Sequence, residues 1–178
     1  MSTDIATKPQ SPMEQFRGKL FGCIERIEKL LPEHKKADAE RHVNRAWMYF
    51  LRTPMLQGCS PDSFIQCCLD SSELGLPLDG KLAHAVVFNT KVKHPDGRES
   101  WEKKAQFMPD YKGLVAIAKR TNLVADVYGD VVCENDEFDC YREGDKSVLK
   151  HRPNIKSRGE TVGAYVIISG RGINWRYE

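Results

Sequence analysis

The spacing of apolar residues makes the first part of the chain helical. Apolar positions recur every three or four residues over 13–31, over 37–52 and over a segment that begins at Ser60. Ser60 followed by Pro61 is typical of a helix N-terminus, and Gly75 is typical of a helix end. The pattern therefore predicts three helices before residue 76.

From residue 82 onward, apolar and polar residues alternate instead. Residues 82–92 and 101–108 are expected to form a long β-hairpin, because Pro95 and Gly97 in the link suit a turn. In the second strand, alternation places Trp101, Ala105 and Phe107 on one face and Glu102, Lys104 and Gln106 on the other.

A short helix over residues 111–121 is expected next, with Asp110 as its N-cap and Asn122 as its left-handed terminator. Two further hairpins are predicted: residues 124–133 with 137–141, and residues 163–169 with 173–177. This order of elements predicts an α+β fold, with N-terminal helices followed by antiparallel β-hairpins around a short central helix.

Length and composition favour one soluble domain. The chain has 178 residues, of which 40% are hydrophobic and 29% charged. Residues 1–12 are polar and are interpreted as a disordered arm, and residues 13–178 as a single α+β domain that is incomplete at its C-terminus, where the last strand runs to Glu178. Without a signal peptide or an apolar run of about 18 residues, a cytoplasmic protein with no membrane partner is expected. The six cysteines include no Cys-x-x-Cys and are interpreted as core thiols.

The net charge of +2 is small, but the basic residues are clustered. The predicted first hairpin carries Trp101 among the cations Lys91, Lys93, Arg98, Lys103 and Lys104. A helical wheel for 111–121 predicts a buried arc of Tyr111, Leu114, Val115, Ile117 and Ala118. The opposite arc holds Lys112, Lys119 and Arg120, with Gly113 and Ala116 beside them, where a ligand backbone could approach closely. Basic clusters with interleaved aromatic residues favour nucleic-acid binding.

Other chemistry is less well supported. A metal-dependent nuclease could use Asp136, Glu137 and Asp139, although solvated acids of a hairpin explain them better. The sequence at 78–81 lacks the first glycine and the final Ser/Thr of a phosphate-binding P-loop. A duplex-binding regulator would need 37–52 and 60–74 to form a helix-turn-helix, but about eight residues separate them.

Several segments, in order, resemble the RecT family of phage single-strand annealing proteins. Residues 72–88 (SELGLPLDGKLAHAVVF) are similar to that family's "LGL-x-P" helix end and following strand, and residues 105–121 (AQFMPDYKGLVAIAKRT) to its aromatic-basic helix segment. Asp136-Glu137-Phe138 and His151-Arg152-Pro153 fall at the family's "GDEF" and "HRP" positions. The chain departs from the pattern at Asp110 and Asn122, where the family has glycine, and it ends before the family's downstream helix.

The resemblance implies ATP-independent binding of single-stranded DNA and annealing of complementary strands, without catalysis. It implies a homo-oligomeric ring or filament, with a partner exonuclease and a host single-strand-binding protein as further candidate partners. No cofactor is expected, with Mg²⁺ as an optional aid to DNA binding. The residues expected to bind DNA are Lys103, Lys104, Lys112, Lys119, Arg120, His151 and Arg152.

Overall fold

The computed structural model describes residues 11–144, 146–170 and 173–177, and for residues 146, 147 and 173–177 it describes the backbone alone. The chain divides into two compact units, Met1–Leu114 and Val115–Glu178. The expectation that residues 13–178 form a single domain stays a prediction. Over the described ranges, no helix is both long and apolar enough to cross a bilayer.

The first unit consists of helices followed by one hairpin. The helices are α1 (Pro12–Phe21), α2 (Ile24–Leu30), a 3₁₀ helix (Glu33–Asp38), α3 (Ala39–Arg52), the short α4 (Pro54–Gln57) and α5 (Pro61–Glu73). The strands are β1 (Ala83–Lys93) and β2 (Glu99–Pro109), and α6 (Tyr111–Arg120) begins in this unit.

The helix predicted over residues 13–31 is in fact two helices. Gly22 ends α1, and the Cys23 N–H closes a tight turn onto the Leu20 carbonyl at 3.1 Å. Glycine lowers helix propensity, which favours a break at this point. The predicted helix over 37–52 likewise begins as a 3₁₀ turn and becomes α3 only at Ala39.

An aromatic cluster joins α1, α3 and α5. The ring centroid of Phe50 lies 4.8 Å from that of Phe16 and 5.1 Å from that of Phe64, and both pairs meet at steep angles. Such tilted contacts are favourable beyond the apolar area they bury. The cluster fixes α3 against its neighbours and leaves the opposite side of α3 exposed.

The C-terminus of α5 is closed by the predicted glycine. Gly75 has φ +58°, and the Leu76 N–H donates to the Ser71 carbonyl at 2.9 Å. This is the hydrogen bond of a Schellman motif that spans six residues. The Lys35 ammonium donates to the Gly75 carbonyl at 2.6 Å, a favourable place for a cation. The prediction that Gly75 ends this helix is confirmed.

The first hairpin is confirmed, and its second strand is longer than predicted. β1 pairs antiparallel with β2 from Ala83 opposite Pro109 to Lys93 opposite Glu99. Ala105 is buried and its N–H bonds to the Ser63 hydroxyl at 2.9 Å, which ties β2 to the start of α5.

The second unit contains two small sheets. β3 (Val124–Cys133), β6 (Thr161–Gly170) and β7 (Ile173–Tyr177) form one in the order β3-β6-β7, and β4 (Glu137–Glu143) and β5 (Lys146–Arg152) form the other. The pairing of β6 with β7 confirms the last predicted hairpin, and the antiparallel α+β class is confirmed.

The predicted pairing of β3 with β4 is wrong. β3 pairs with β6, and β4 pairs with β5, a strand that the sequence pattern did not indicate. The link between β3 and β4 uses its backbone donors elsewhere: the Glu134 N–H bonds to the Glu160 carbonyl at 3.0 Å and the Asn135 N–H to the Arg158 carbonyl at 3.1 Å. These bonds hold the end of β3 beside the segment that leads into β6, so β4 leaves to form the other sheet.

The predicted ends of α6 are confirmed, but its buried face is not. Asp110 caps the helix by accepting the Lys112 N–H at 2.9 Å, and Asn122 has φ +58°. Tyr111 is 69% exposed and Leu114 53%, whereas Gly113 is the buried position.

Gly113 is buried because α6 crosses the chain at residue 82 with almost no space between the backbones. A Cβ at Gly113 would overlap the Leu82 carbonyl oxygen and lie 3.0 Å from Leu76 Cδ1. The glycine was expected to admit a ligand backbone, but it admits the protein's own. This contact rotates α6 away from the orientation given by the wheel.

Gly113→Ala should lower the free energy of unfolding by about 1–3 kcal/mol, because the new methyl group meets backbone that cannot rotate away. Chemical denaturation followed by circular dichroism measures the change. Gly18→Ala is the control, since Gly18 is also helical but has no atom within 4 Å of the added Cβ. The control should gain about 0.5–1 kcal/mol, and equal losses for both variants would contradict the close approach.

Candidate nucleic-acid interface

The two lysines of the hairpin point to opposite faces. Lys103 lies opposite Asn89 and shares its face with Trp101, whereas Lys104 lies opposite Phe88 on the other face. Trp101 is 70% exposed. Exposed indole beside ammonium groups is a combination that suits stacking on bases and contact with phosphates.

The carboxylates nearest these lysines are few. Lys104 Nζ lies 4.0 Å from Glu102, and Lys91 pairs with Glu99 further out on the hairpin. Lys103 makes no ion pair among the described residues. Its backbone carbonyl accepts the Ser60 N–H at 2.9 Å, so the strand is fixed here while the side chain stays exposed.

Two exposed lysines of α6 have different partners. The Lys112 ammonium lies 5.6 Å from the ring centroid of Tyr111, and both side chains face solvent. The interpretation of Tyr111 as a packing residue is therefore wrong. Lys119 pairs with Asp126 at 2.8 Å, with the lysine side chain 43% exposed. Exposed pairs of this kind contribute little, so an arriving phosphate could replace the carboxylate.

A carboxylate occupies the start of α6. Asp110 accepts the Lys112 N–H and lies 3.3 Å from His84 Nε2. The hydrogen bond from the Lys112 N–H is the main cause that lowers the pKa of Asp110. An ionised cap already satisfies this helix end, which makes it a poor place for a phosphate.

His151 and Arg152 are neighbours with different surroundings. Arg152 is exposed and lies 3.3 Å from Glu137. The His151 side chain is only 3% exposed, and its ring nitrogens contact Asp136 Oδ2 and Tyr165 Oη, each at 3.1 Å. This geometry gives His151 a structural role, and its contact with DNA stays a prediction.

Asp136 is the centre of that buried network. Its side chain has no exposed surface and accepts the Cys133 and Asn154 N–H groups at 2.9 and 2.8 Å. The Arg158 guanidinium adds contacts of 2.6–3.2 Å. These donors, Arg158 above all, hold the pKa of Asp136 far below its ordinary value.

The network bears on the nuclease hypothesis. Both oxygens of Asp136 are occupied by protein donors, so they are not open to a metal ion. Within the described residues, no three His, Cys, Asp or Glu side chains are grouped to hold a metal. The observed geometry gives this hypothesis no support.

The remaining alternatives meet geometric obstacles as well. Gly80, with φ +74°, lies against the Tyr49 ring, and Asp79 Oδ1 accepts the Lys81 and Leu82 N–H groups. Those backbone donors cannot also cradle a phosphate as in a P-loop. The helix-turn-helix hypothesis requires a short turn between α3 and α5, but α4 lies between them.

The seven predicted DNA-binding residues are divided between the units. Lys103, Lys104 and Lys112 belong to the first unit, and Lys119, Arg120, His151 and Arg152 to the second.

A basic face on α3 lies outside the residues predicted to bind DNA. Arg41, Arg45 and Arg52 lie on the exposed side of this helix, near Lys81 in the loop before β1. The signal was available, because arginines four and seven residues apart fall on one side of a helix. The apolar stripe on the buried side of the same helix is the stronger pattern in the sequence and hides this one.

The segments quoted above for their motifs all lie within the part of the chain that matches known proteins. The family model described as the RecT family matches residues 40–177. Protein RecT of Escherichia coli is 29% identical over 143 residues, which cover 80% of this chain. The chain spans about half the length of that relative, 51%.

Asp136→Asn should lower the thermal midpoint and remove a pH dependence. The pKa of Asp136 is lowered in the folded state, so its stabilising effect is complete above the unfolded-state pKa of about 4 and is lost as the pH falls below that value. Thermal melts from about pH 2 to pH 7 measure both effects.

Asp139→Asn is the matched control, because Asp139 is exposed on β4. It should melt like the parent protein. A parent and an Asp136→Asn variant with the same midpoint and the same pH profile would contradict the proposed role of the network.

Proposed function

The chain belongs to the RecT family, and on that premise we propose that it binds single-stranded DNA and anneals it to a complementary strand without ATP. The observation that carries the proposal is the set of exposed cations beside exposed aromatic rings: Lys103 with Trp101, and Lys112 with Tyr111. Cations supply affinity for phosphates whatever the sequence, and aromatic rings stack on any base.

Annealing requires that base edges stay available for pairing. Contacts to phosphates and to base faces leave those edges free, whereas base-specific hydrogen bonds would occupy them. The same chemistry requires neither a nucleophile nor a nucleotide cofactor. We therefore propose a binding protein that holds strands in an extended form, with Mg²⁺ as an optional aid.

The proposal extends to assembly and partners. We expect a homo-oligomer, ring or filament, that coats DNA in the bacterial cytoplasm or nucleoid. A partner exonuclease that exposes single strands, and a host single-strand-binding protein that first covers them, are the expected companions.

Annealing of two complementary labelled oligonucleotides should be accelerated in the absence of any nucleoside triphosphate. Energy transfer between a donor and an acceptor dye on the two strands measures the rate. A pair of non-complementary oligonucleotides is the control. A strict requirement for ATP would contradict the proposal, and so would an annealing rate equal to that without protein.

Lys103→Glu and Lys112→Glu should each weaken oligonucleotide binding about fivefold at about 0.1 M salt, since loss of one phosphate contact reduces the salt slope of a single-strand complex by about 0.7. Fluorescence anisotropy measures the affinity and the slope. Lys29→Glu, on the exposed side of α2, is the matched control. If all three variants bind like the parent, these lysines are ordinary solvated surface.

A further inference from the structure

We propose that the exposed side of α3 is a phosphate-binding strip that holds the backbone of a nucleic-acid strand. The strip consists of Arg41, Arg45 and Arg52 on α3 and Lys81 from the loop before β1. The inference rests on the proposed function and deepens it, because it assigns DNA backbone contacts to residues outside the set expected from the sequence.

These four cations border one open cavity. The cavity has a volume of about 510 Å³, and its remaining lining residues are Asn44, Met48, Tyr49 and Asp79. A second cavity of about 240 Å³ shares Arg41 and Arg45 and continues past the start of α3 to Lys35, with Asp38 as its one acid. The positive surface therefore runs along the helix rather than converging on one point.

The strip cations form no ion pairs with the residues that the structure describes. Over the described residues, Arg41, Arg45, Arg52 and Lys81 have no carboxylate within ion-pair distance, unlike Lys119 and Arg152, which lie beside acids. One acid, Asp79, borders the cavity, and its Oδ1 accepts two backbone N–H groups. Four cations against one carboxylate leave a local excess of positive charge, which attracts anions.

One strip cation, Arg45, also affects a buried neighbour. His42 is buried beside α5, and its Nε2 lies 3.0 Å from the Ser71 hydroxyl. Burial first, and then the charges of Lys35 and Arg45, lower the pKa of His42 to about 4. The histidine is therefore neutral at neutral pH and adds no charge to the strip, whose positive residues are its arginines and lysine.

The dimensions of the strip suit a strand better than a single nucleotide. Arg52 lies eleven positions after Arg41, which is about 16 Å along a helix at 1.5 Å per residue. A strand with duplex geometry places a phosphate about every 3.4 Å along the axis, which gives about five phosphates over that length. An extended single strand has fewer phosphates over the same distance, but still more than one. Met48 is 46% exposed between the arginines and offers apolar surface to sugars or bases.

The test is oligonucleotide binding by the double variant Arg41→Glu/Arg45→Glu of the full chain. A fluorescent thymidine 30-mer is titrated at several salt concentrations. Loss of two phosphate contacts should weaken binding about 25-fold at about 0.1 M salt and make the logarithmic salt slope shallower by about 1.4. The matched control is Arg26→Glu/Lys29→Glu on the exposed side of α2, which should bind within about twofold of the parent.

The outcomes separate this inference from the function on which it rests. If the parent chain does not bind the 30-mer, the proposed function fails. If the parent binds and the α3 double variant binds with the same affinity and slope, the strip is overturned while the function stands. Displacement of the 30-mer by micromolar thymidine monophosphate would identify a mononucleotide pocket and would overturn the assignment to a strand.

Circular dichroism verifies that the double variant keeps its helices. Should the two glutamates unfold α3, Arg45→Gln replaces them, because it removes one charge without adding another. That variant should still weaken binding about fivefold and reduce the slope by about 0.7. Unchanged binding by Arg45→Gln overturns the strip in the same way.

Discussion

The buried carboxylate of Asp136 organises the second unit. It accepts hydrogen bonds from the end of β3 at Cys133, from β5 through His151, and from the following loop through Asn154 and Arg158. His151 passes the connection on to Tyr165 of β6. A buried charge is tolerated only when donors surround it. Removal of one donor leaves the carboxylate incompletely hydrogen-bonded and lowers the free energy of unfolding. One side chain thus ties the sheet of β3, β6 and β7 to the sheet of β4 and β5.

The first unit depends on close packing instead of buried charge. The aromatic rings of α1, α3 and α5 meet on one side of α3, and α6 approaches the backbone at residue 82 because Gly113 has no side chain. Both constraints dictate which surfaces remain for ligands. The first leaves the arginine side of α3 free, and the second turns Tyr111 and Leu114 outward beside Lys112.

The basic residues of this protein differ in whether an acid lies beside them. Lys119 and Arg152 each lie beside an acid on the surface, and such pairs exchange readily with other anions at little cost. The α3 arginines form no ion pair among the described residues, so their charge is available to an external anion. A count of basic residues along the sequence does not reveal this distinction, because it depends on which acids fold back beside them.

The sequence by itself determined the features that rest on nearest neighbours along the chain. The cap at Asp110, the left-handed positions of Gly75 and Asn122, the first hairpin and the α+β order all follow from local preferences, and all are present. Family membership was also visible in short motifs. Tertiary structure alone decided the partner of β3, the buried face of α6 and the surroundings of His151, because each depends on contacts between residues far apart in the chain. A helical wheel or an alternating pattern predicts the secondary structure of a segment. The residues it packs against are decided only when distant segments come together.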